Sequence, residues 1–380
     1  PARAKSQWNR KNPFPPATVT VNRLLSGDGS GKEIRHYEFD LAGSGLEYEA
    51  GDALNVVPVN DSELVRALLD TLGLDGTVVP AGHERTLTEL LTYSYEITAP
   101  NIDLLEEVEK RTRNEELTYV LRHGDKSALD DWLWGRDILD VLRLEPTPPE
   151  LAAEEFLSLL KPLQHRAYSI SSSPYATEQS VHLTVAAVRY GTDGRERRGV
   201  CSTFLADRVG ENGTAGVFVT KNKAFRVPVD DTAPMIMVGP GTGIAPPFRG
   251  FLQERRARGA TGRNWLFFGD QRRACDYVYE DELTEFVESG VLTRLDLAFS
   301  RDQAEKIYVQ TRMKEHGAEL FAWLEDGGHF YICGDASRMA KDVDRALHKI
   351  IAEHGGLSED AAAAYVTGLK REKRYVRDVY

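Results

Sequence analysis

Beyond about Val229 the chain alternates short apolar strands with amphipathic stretches: Met235–Val238, Trp265–Phe268, Leu295–Phe299 and Phe330–Cys333 each lead into a helical pattern. Strands covered on both faces read as continuous apolar runs, and strands that alternate with helices pair in parallel because each return crosses a sheet face. A doubly wound α/β domain is predicted over residues 229–380, with its ligand crevice outside the carboxyl ends of the strands. The first run opens into Gly239-Pro240-Gly241-Thr242-Gly243-Ile244-Ala245-Pro246, ahead of a helix predicted over Phe248–Arg258. Glycines allow a tight turn and close approach of the backbone to a pyrophosphate, whose charge the free N–H groups of a helix start favour. Gly239, Gly241, Thr242 and Gly243 are the candidate contacts. Such a turn alone is as often a plain strand-to-helix connection; its place after the first parallel strand favours the dinucleotide reading.

A second cluster follows the third run. Ser300 and Arg301 stand directly after Phe299, with Lys306, Tyr308 and Gln310 close behind. A hydroxyl, a guanidinium and an ammonium at a strand's carboxyl end suit a ribose 2′-phosphate better than the solvated basic turn that Arg301 alone would suggest. Charge-assisted hydrogen bonds are worth about 1.5–3 kcal/mol each, so two would favour NADPH over NADH by roughly two to four orders of magnitude. Cys333-Gly334-Asp335 ends the fourth run; a buried cysteine is more often a small core residue than a reactive one, but its position at a strand end brings it to the crevice.

Upstream the patterning is different. Residues 17–60 read as strands, with Tyr37, Phe39 and Leu41 alternating and a Gly51-Asp52 turn before Leu54 and Val56. Residues 61–160 take a helical period, with Leu64, Leu68, Leu69 and Leu72 on one face and Leu104, Leu105 and Val108 on another. The strand pattern resumes over 161–228, in Ala167–Ser171, Val181–Tyr190 and Gly216–Thr220. The expected architecture is therefore multidomain: an antiparallel β-barrel over 17–60 and 161–228, an all-α connecting domain inserted over 61–160, and the α/β domain. Residues 1–16 read as a linker.

In Arg166-Ala167-Tyr168-Ser169-Ile170-Ser171-Ser172 strand alternation puts Arg166, Tyr168 and Ile170 on one face and Ala167, Ser169 and Ser171 on the other. An aromatic beside a cation can cover a flat ring while the cation neutralises its pyrophosphate. Gly199-Val200-Cys201-Ser202-Thr203 combines a glycine with small hydroxyl residues at a predicted helix start, a second phosphate-compatible element, although such residues are usually plain caps.

Taken together these motifs resemble the ferredoxin–NADP reductase superfamily, and within it the inserted helical stretch and the end Arg374-Tyr375-Val376-Arg377-Asp378-Val379-Tyr380 resemble the diflavin reductases, in their sulfite-reducing branch. The resemblance runs from about Asn12 to the last residue. It implies FAD as the flavin, with contacts at Arg166, Tyr168, Ser169, Val188, Tyr190 and Gly199 to Thr203, and Tyr168 stacking on the ring. It implies NADPH contacts at the Gly239 turn and at Ser300, Arg301, Lys306, Tyr308, Gln310 and Asp342. Ser169, Cys333 and Asp378 would orient the nicotinamide for hydride transfer, and Tyr380 would shield the flavin until NADPH displaces it. Electrons would pass to FMN in a flavodoxin-like N-terminal domain absent here, the chain beginning in the linker, and then to a sulfite-reducing haemoprotein (beta) subunit. One departure stands out: the family loop runs Ala-Pro-Phe-Arg, whereas Pro246 and Pro247 both precede Phe248, which is expected to shift the helix start and weaken NADPH binding.

Composition agrees with this class. A net charge of −12 over 380 residues offers no contiguous basic face for a nucleic acid. Three widely spaced cysteines match neither a disulfide framework nor a metal site and suit a reducing, cytoplasmic setting. No apolar run approaches the roughly 20 residues that span a bilayer. Three alternatives remain open: a reductase serving a cytochrome or a nitrate-reducing partner, a flavin-containing scaffold subunit, and a dehydrogenase acting on a small alcohol, which would leave the Arg-x-Tyr-Ser motif unused.

Overall fold

A computed structural model describes residues 8–210, 212–240 and 245–380. Thirteen strands are described: β1 Phe14–Leu24, β2 Glu33–Asp40, β3 Ala53–Val57, β4 Arg166–Ser169, β5 Ser180–Ala187, β6 Arg189–Tyr190, β7 Arg197–Arg198, β8 Thr214–Thr220, β9 Met235–Pro240, β10 Asn264–Asp270, β11 Arg294–Phe299, β12 His329–Gly334 and β13 Tyr375–Val379. The chain divides into two compact units: residues 1–55, 167–186 and 210–380 form the first, and residues 56–166 and 187–209 the second.

The first unit holds two sheets. One has six strands in the order β4-β3-β8-β1-β2-β5, with β1 antiparallel to both β2 and β8. Its two ends meet through a bridge between Ile170 and Leu183, so the sheet closes on itself as the alternating pattern of Tyr37, Phe39 and Leu41 requires, all three being buried. β1 begins at Phe14, inside the stretch read as a linker, because Phe14 is buried and pairs with Val217. The second sheet is parallel, in the order β11-β10-β9-β12-β13. Four of its strands, β9 to β12, carry the apolar runs of the sequence; β10 is buried along its whole length, while β11 forms one edge. The fifth strand, β13, has no such run, and pairs with β12 in the register Cys333↔Asp378 and Gly334↔Val379.

Between the two sheets of this unit lies a shared apolar cluster that includes Ile34, Ala50 and Phe225 beside Met237, Phe248, Phe251, Phe268 and Tyr331. Helix Ala245–Ala257 carries Phe248 and Phe251 into it. The helix begins before the expected Phe248, so both Pro246 and Pro247 fall in its first turn, where a missing N–H breaks no intrahelical bond. Gly250 lets this helix approach the chain closely: a Cβ there would stand 2.7 Å from the Ser172 carbonyl oxygen.

The residue before Gly250, Arg249, is 5% exposed and forms a polar hub. It donates to Ser171 O and His182 Nδ1, both at 3.0 Å, chelates Glu282 and lies over the Tyr279 ring. A guanidinium only donates, so His182 Nδ1 must accept and the ring proton sits on Nε2, 2.7 Å from Glu38. Burial, with Arg249 and Arg23 nearby, lowers the His182 pKa to about 3. His36, whose Nδ1 bonds the Tyr279 hydroxyl at 2.7 Å, completes a group with Glu38 and His182 beside the Arg249 cation.

The second unit contains the helices Ser62–Leu72, Leu87–Tyr93, Ile102–Thr112, Glu115–Arg122, Lys126–Leu133, Ile138–Leu142 and Ala153–Ser158. Leu68, Leu104, Leu105, Val108 and Phe156 share its core, while Leu64, Leu69 and Leu72 of the expected first face are only partly buried and flank it. Side chains of Asp61, Asn101 and Asp137 cap three of these helices. Residues 187–209 belong to this unit and are tied to its helices by ion pairs: Arg195 binds Asp137 through two nitrogens, Arg197 chelates Asp140, and Arg198 reaches Asp61 at 3.0 Å. The single strand expected over Val181–Tyr190 is broken at Val188, between β5 and β6. No described helix is long and apolar enough to cross a membrane.

Gly51 tests the packing of the closed sheet. It has φ +99°, and a Cβ there would lie 1.9 Å from the Phe225 carbonyl oxygen. Left-handed backbone costs an L-residue roughly 1–2 kcal/mol before any overlap is counted. Gly51→Ala is expected to lose at least about 3 kcal/mol, read as a lowered denaturant midpoint; an unchanged midpoint would contradict this packing.

Candidate functional site

Two groups of side chains collect at the carboxyl end of the parallel sheet in the first unit. The first is built by β13. Pairing with β12 sets Asp378 beside Cys333, and Asp378 Oδ2 accepts a 3.1 Å hydrogen bond from Ser169 Oγ at the end of β4. The backbone continues the pairing past the strand: Tyr380 N donates to Gly334 O at 3.0 Å, and Ala336 N donates to Tyr380 O at 2.9 Å. The Tyr380 side chain is 70% exposed. Gly334 has φ +132°, and a Cβ would meet Met339 Cε at 2.9 Å; only glycine allows the strand to turn out at this point.

Burial sets the electrostatics of the trio. Burial, and then the charge of Asp378, push the Cys333 thiol well above its ordinary value, so it is protonated at neutral pH. Burial also raises the Asp378 carboxyl, opposed by the hydrogen bond from Ser169.

The second group lines a cleft of about 480 Å³. Ser300, Arg301, Lys306, Tyr308, Gln310 and Asp342 all border it, and so do Lys32, Asp270, Gln271 and Arg338. Ser300 N donates to Asp270 O and Arg301 N to Gln271 O, which fixes the turn after β11 against the end of β10. Tyr308 caps helix Val309–Glu315. Lys32 reaches the cleft because the β1–β2 turn docks on the segment after β10: Ser30 Oγ bonds Asp276, Gly27 N donates to Cys275 O, and Lys32 Nζ meets Asp270 Oδ1 at 2.9 Å. Four cationic side chains around one cleft fit a phosphate. Asp270 adds a requirement of its own, since its Oδ2 is buried without a hydrogen-bond partner.

Of the remaining expected residues, Gly239 lies within β9 opposite Phe268, while Gly241, Thr242 and Gly243 lie outside the described residues. Tyr168 is half-buried in β4. In the second unit, Arg166 stands 3.4 Å from Glu96, Tyr190 is half-buried and Val188 half-exposed. Val188 N donates to Ser202 Oγ, Gly199 N donates to Val188 O, and Thr203 Oγ1 donates to Gly199 O. A Cβ at Gly199 would press on Ser202 Oγ at 2.7 Å. Gly199 precedes helix Val200–Thr203, which passes into a π-helical turn, Phe204–Arg208. Cys201 is buried, its Sγ 3.9 Å from Val56 O. Lys32, Asp270, Gln271 and Arg338 were not singled out in the sequence. Their only local signal is that Asp270 and Gln271 end an apolar run.

The family profile described as FAD binding domain matches residues 6–204, more than half of the chain. The chain belongs to this FAD-binding family. The profile described as oxidoreductase NAD-binding domain matches residues 237–345, the segment that carries the cleft. Among curated proteins the chain is 47% identical over 380 residues to the sulfite reductase [NADPH] flavoprotein alpha-component of Bacillus subtilis, covering 99% of this chain and 62% of that protein. It is 46% identical over 366 residues to the same component of Klebsiella pneumoniae, covering 96% of this chain and 60% of that protein. The Zymomonas mobilis component is 46% identical over 380 residues. The chain thus spans about 62% of the length of such relatives and combines an FAD-binding with an oxidoreductase NAD-binding domain.

The raised Asp378 carboxyl gives a signed prediction. The folded state favours its protonated form, so this group's contribution to stability is fully present below its ordinary value of 3.8 and is lost as pH rises through the raised value. Asp378→Asn is expected to flatten the fall in denaturant midpoint from about pH 4 upward; identical pH profiles for the two proteins would remove the assignment.

Proposed function

We propose that the chain is the FAD- and NADPH-binding reductase portion of an NADPH-dependent assimilatory sulfite reductase flavoprotein. It takes hydride from NADPH and supplies electrons, through an N-terminal flavodoxin-like FMN domain, to a haemoprotein beta subunit in the cytoplasm. The observation that carries the reading is the cationic cleft at the carboxyl ends of β9 to β12, in the same unit as the Ser169–Asp378–Cys333 group. It is supported by the flavoprotein names of relatives 46–47% identical to the chain. On this reading residues 61–160 are the inserted connecting domain of diflavin reductases.

FAD, when bound, supplies the hydride acceptor. The chain's own contribution is placement. Tyr168 offers a flat face for the flavin, and Arg166 and residues Gly199 to Thr203, with Val188 and Tyr190, hold the remainder of that cofactor. Ser300, Arg301, Lys306, Tyr308, Gln310 and Asp342 anchor the adenosine end of NADPH, and the turn from Gly239 through Gly241, Thr242 and Gly243 takes the pyrophosphate. Ser169 Oγ and the protonated Cys333 thiol orient the nicotinamide without adding charge beside it, and Asp378 holds the Ser169 hydroxyl in position. Tyr380 covers the flavin face and yields to nicotinamide. Extra Pro247, in the first turn of helix Ala245–Ala257, weakens NADPH binding.

Anaerobic addition of NADPH to the FAD-loaded chain should bleach the flavin absorbance in stopped flow; a flavin left oxidised would end the proposal, as expected of a scaffold subunit. Arg301→Ala is expected to raise KM for NADPH by about tenfold or more, one charge-assisted contact, while changing that for NADH little. Ser169→Ala combined with Cys333→Ala and Asp378→Asn should slow flavin reduction far more than it weakens FAD retention. Reduction of the beta subunit only when the FMN domain is supplied separates this acceptor from a cytochrome or nitrate-reducing one.

A further inference from the structure

Asp270 is the anomaly of the cleft. It ends β10, the strand beside the glycine-turn strand β9, and its side chain is 0% exposed. Oδ1 is satisfied twice, by Lys32 Nζ at 2.9 Å and by its neighbour Gln271 N at 2.7 Å. Oδ2 is buried and has no partner, although the residue borders the cleft. A buried acceptor without a donor costs on the order of 1–3 kcal/mol, more when charged, so the protein carries a penalty that a ligand donor would relieve. A carboxylate here is also the wrong charge for a phosphate pocket, since Ser300 follows Phe299, whose register partner is Asp270 itself.

We propose that Asp270 is a specificity-determining residue: Oδ2 accepts a hydrogen bond from a hydroxyl of the adenosine ribose, and the carboxylate opposes a 2′-phosphate. The inference rests on the reading of this cleft as the adenosine site. In parallel dinucleotide-binding sheets the end of the second strand lies beside that ribose, and an acid there accepts from the 2′-hydroxyl, whereas a cation takes the 2′-phosphate. This chain has both chemistries in one cleft. Arg301 and Lys306 favour the phosphate, and Asp270 keeps affinity for the ligand without it. Lys32 limits the repulsion by holding Oδ1, and the docked β1–β2 turn keeps Lys32 there. Burial raises the Asp270 carboxyl, opposed by Lys32, and the other charged groups bordering the cleft are Arg301, Lys306, Asp335, Arg338 and Asp342. The selectivity for NADPH is therefore set lower than the cationic residues alone would give.

The test is competitive inhibition of NADPH oxidation by the FAD-loaded chain, with 2′,5′-ADP and 5′-AMP as probes. Asp270→Asn preserves shape and the Gln271 contact. It is expected to lower the inhibition constant of 2′,5′-ADP and raise that of 5′-AMP, so that their ratio moves by about tenfold, the worth of one charge-assisted hydrogen bond; the NADPH-to-NADH ratio of kcat/KM should move in the same sense. A merely structural role would shift both constants together, and that outcome, or an unmoved ratio, overturns the proposal. Arg301→Ala in parallel separates the two levels. If it weakens 2′,5′-ADP while Asp270→Asn leaves the ratio unmoved, only this inference falls; if it leaves 2′,5′-ADP unaffected, the cleft is not the adenosine site and both readings fall.

Discussion

Arg249 is a polar tie between the two sheets of the first unit. It projects from a helix of the parallel sheet, yet two of its partners, Ser171 O and His182, belong to the closed antiparallel sheet, and a third, Glu282, to helix Glu280–Glu288. Taking a guanidinium to 5% exposure is costly unless every donor direction is used and the charge is answered. Here the carboxylate, the carbonyl, the imidazole and the face of Tyr279 together do so. With Gly250 admitting the close approach at Ser172, the end of β4 has one position relative to β13. That position is why Ser169 reaches Asp378 across 209 residues of sequence.

Dependence on such long-range pairs also explains which parts of the molecule could be read from sequence. Strands buried on both faces leave unbroken apolar runs, so Met235–Val238, Trp265–Phe268 and Phe330–Cys333 were legible with nearly their observed bounds, and the half-buried edge strand over Leu295–Phe299 was legible despite Asp296. The cluster after that strand was legible too, because Ser300, Arg301, Lys306 and Tyr308 follow it within a few residues. β13 was not: Tyr375 to Val379 includes Arg377 and Asp378, and its pattern of partial burial looks like a polar tail until β12 is beside it. Lys32 and Asp270 are unremarkable charges 238 residues apart, and only the docking of a hairpin turn makes them a pair. The grouping of residues 187–209 with the helices was equally hidden, because the arginine–aspartate pairs that tie them join residues more than fifty positions apart.

Burial keeps the Cys333 thiol protonated and raises the Asp378 carboxyl, so the group at the exit of β12 carries less charge than the same residues would in water. The cationic side chains of this sheet edge gather instead around the cleft by Ser300 and Arg301.

The second unit is assembled from two stretches of chain, residues 56–166 and 187–209, with residues 167–186 returning to the first unit between them. The link that separates them includes β5 and the Ile170–Leu183 closure of the barrel. The helices therefore acquire their arginine partners only after the polypeptide has left for the other unit and come back, a closure whose entropy is spent before those contacts form. An excised helical segment would leave Asp137 and Asp140 without their counter-ions. Swapping this region between relatives accordingly calls for two simultaneous splices rather than one.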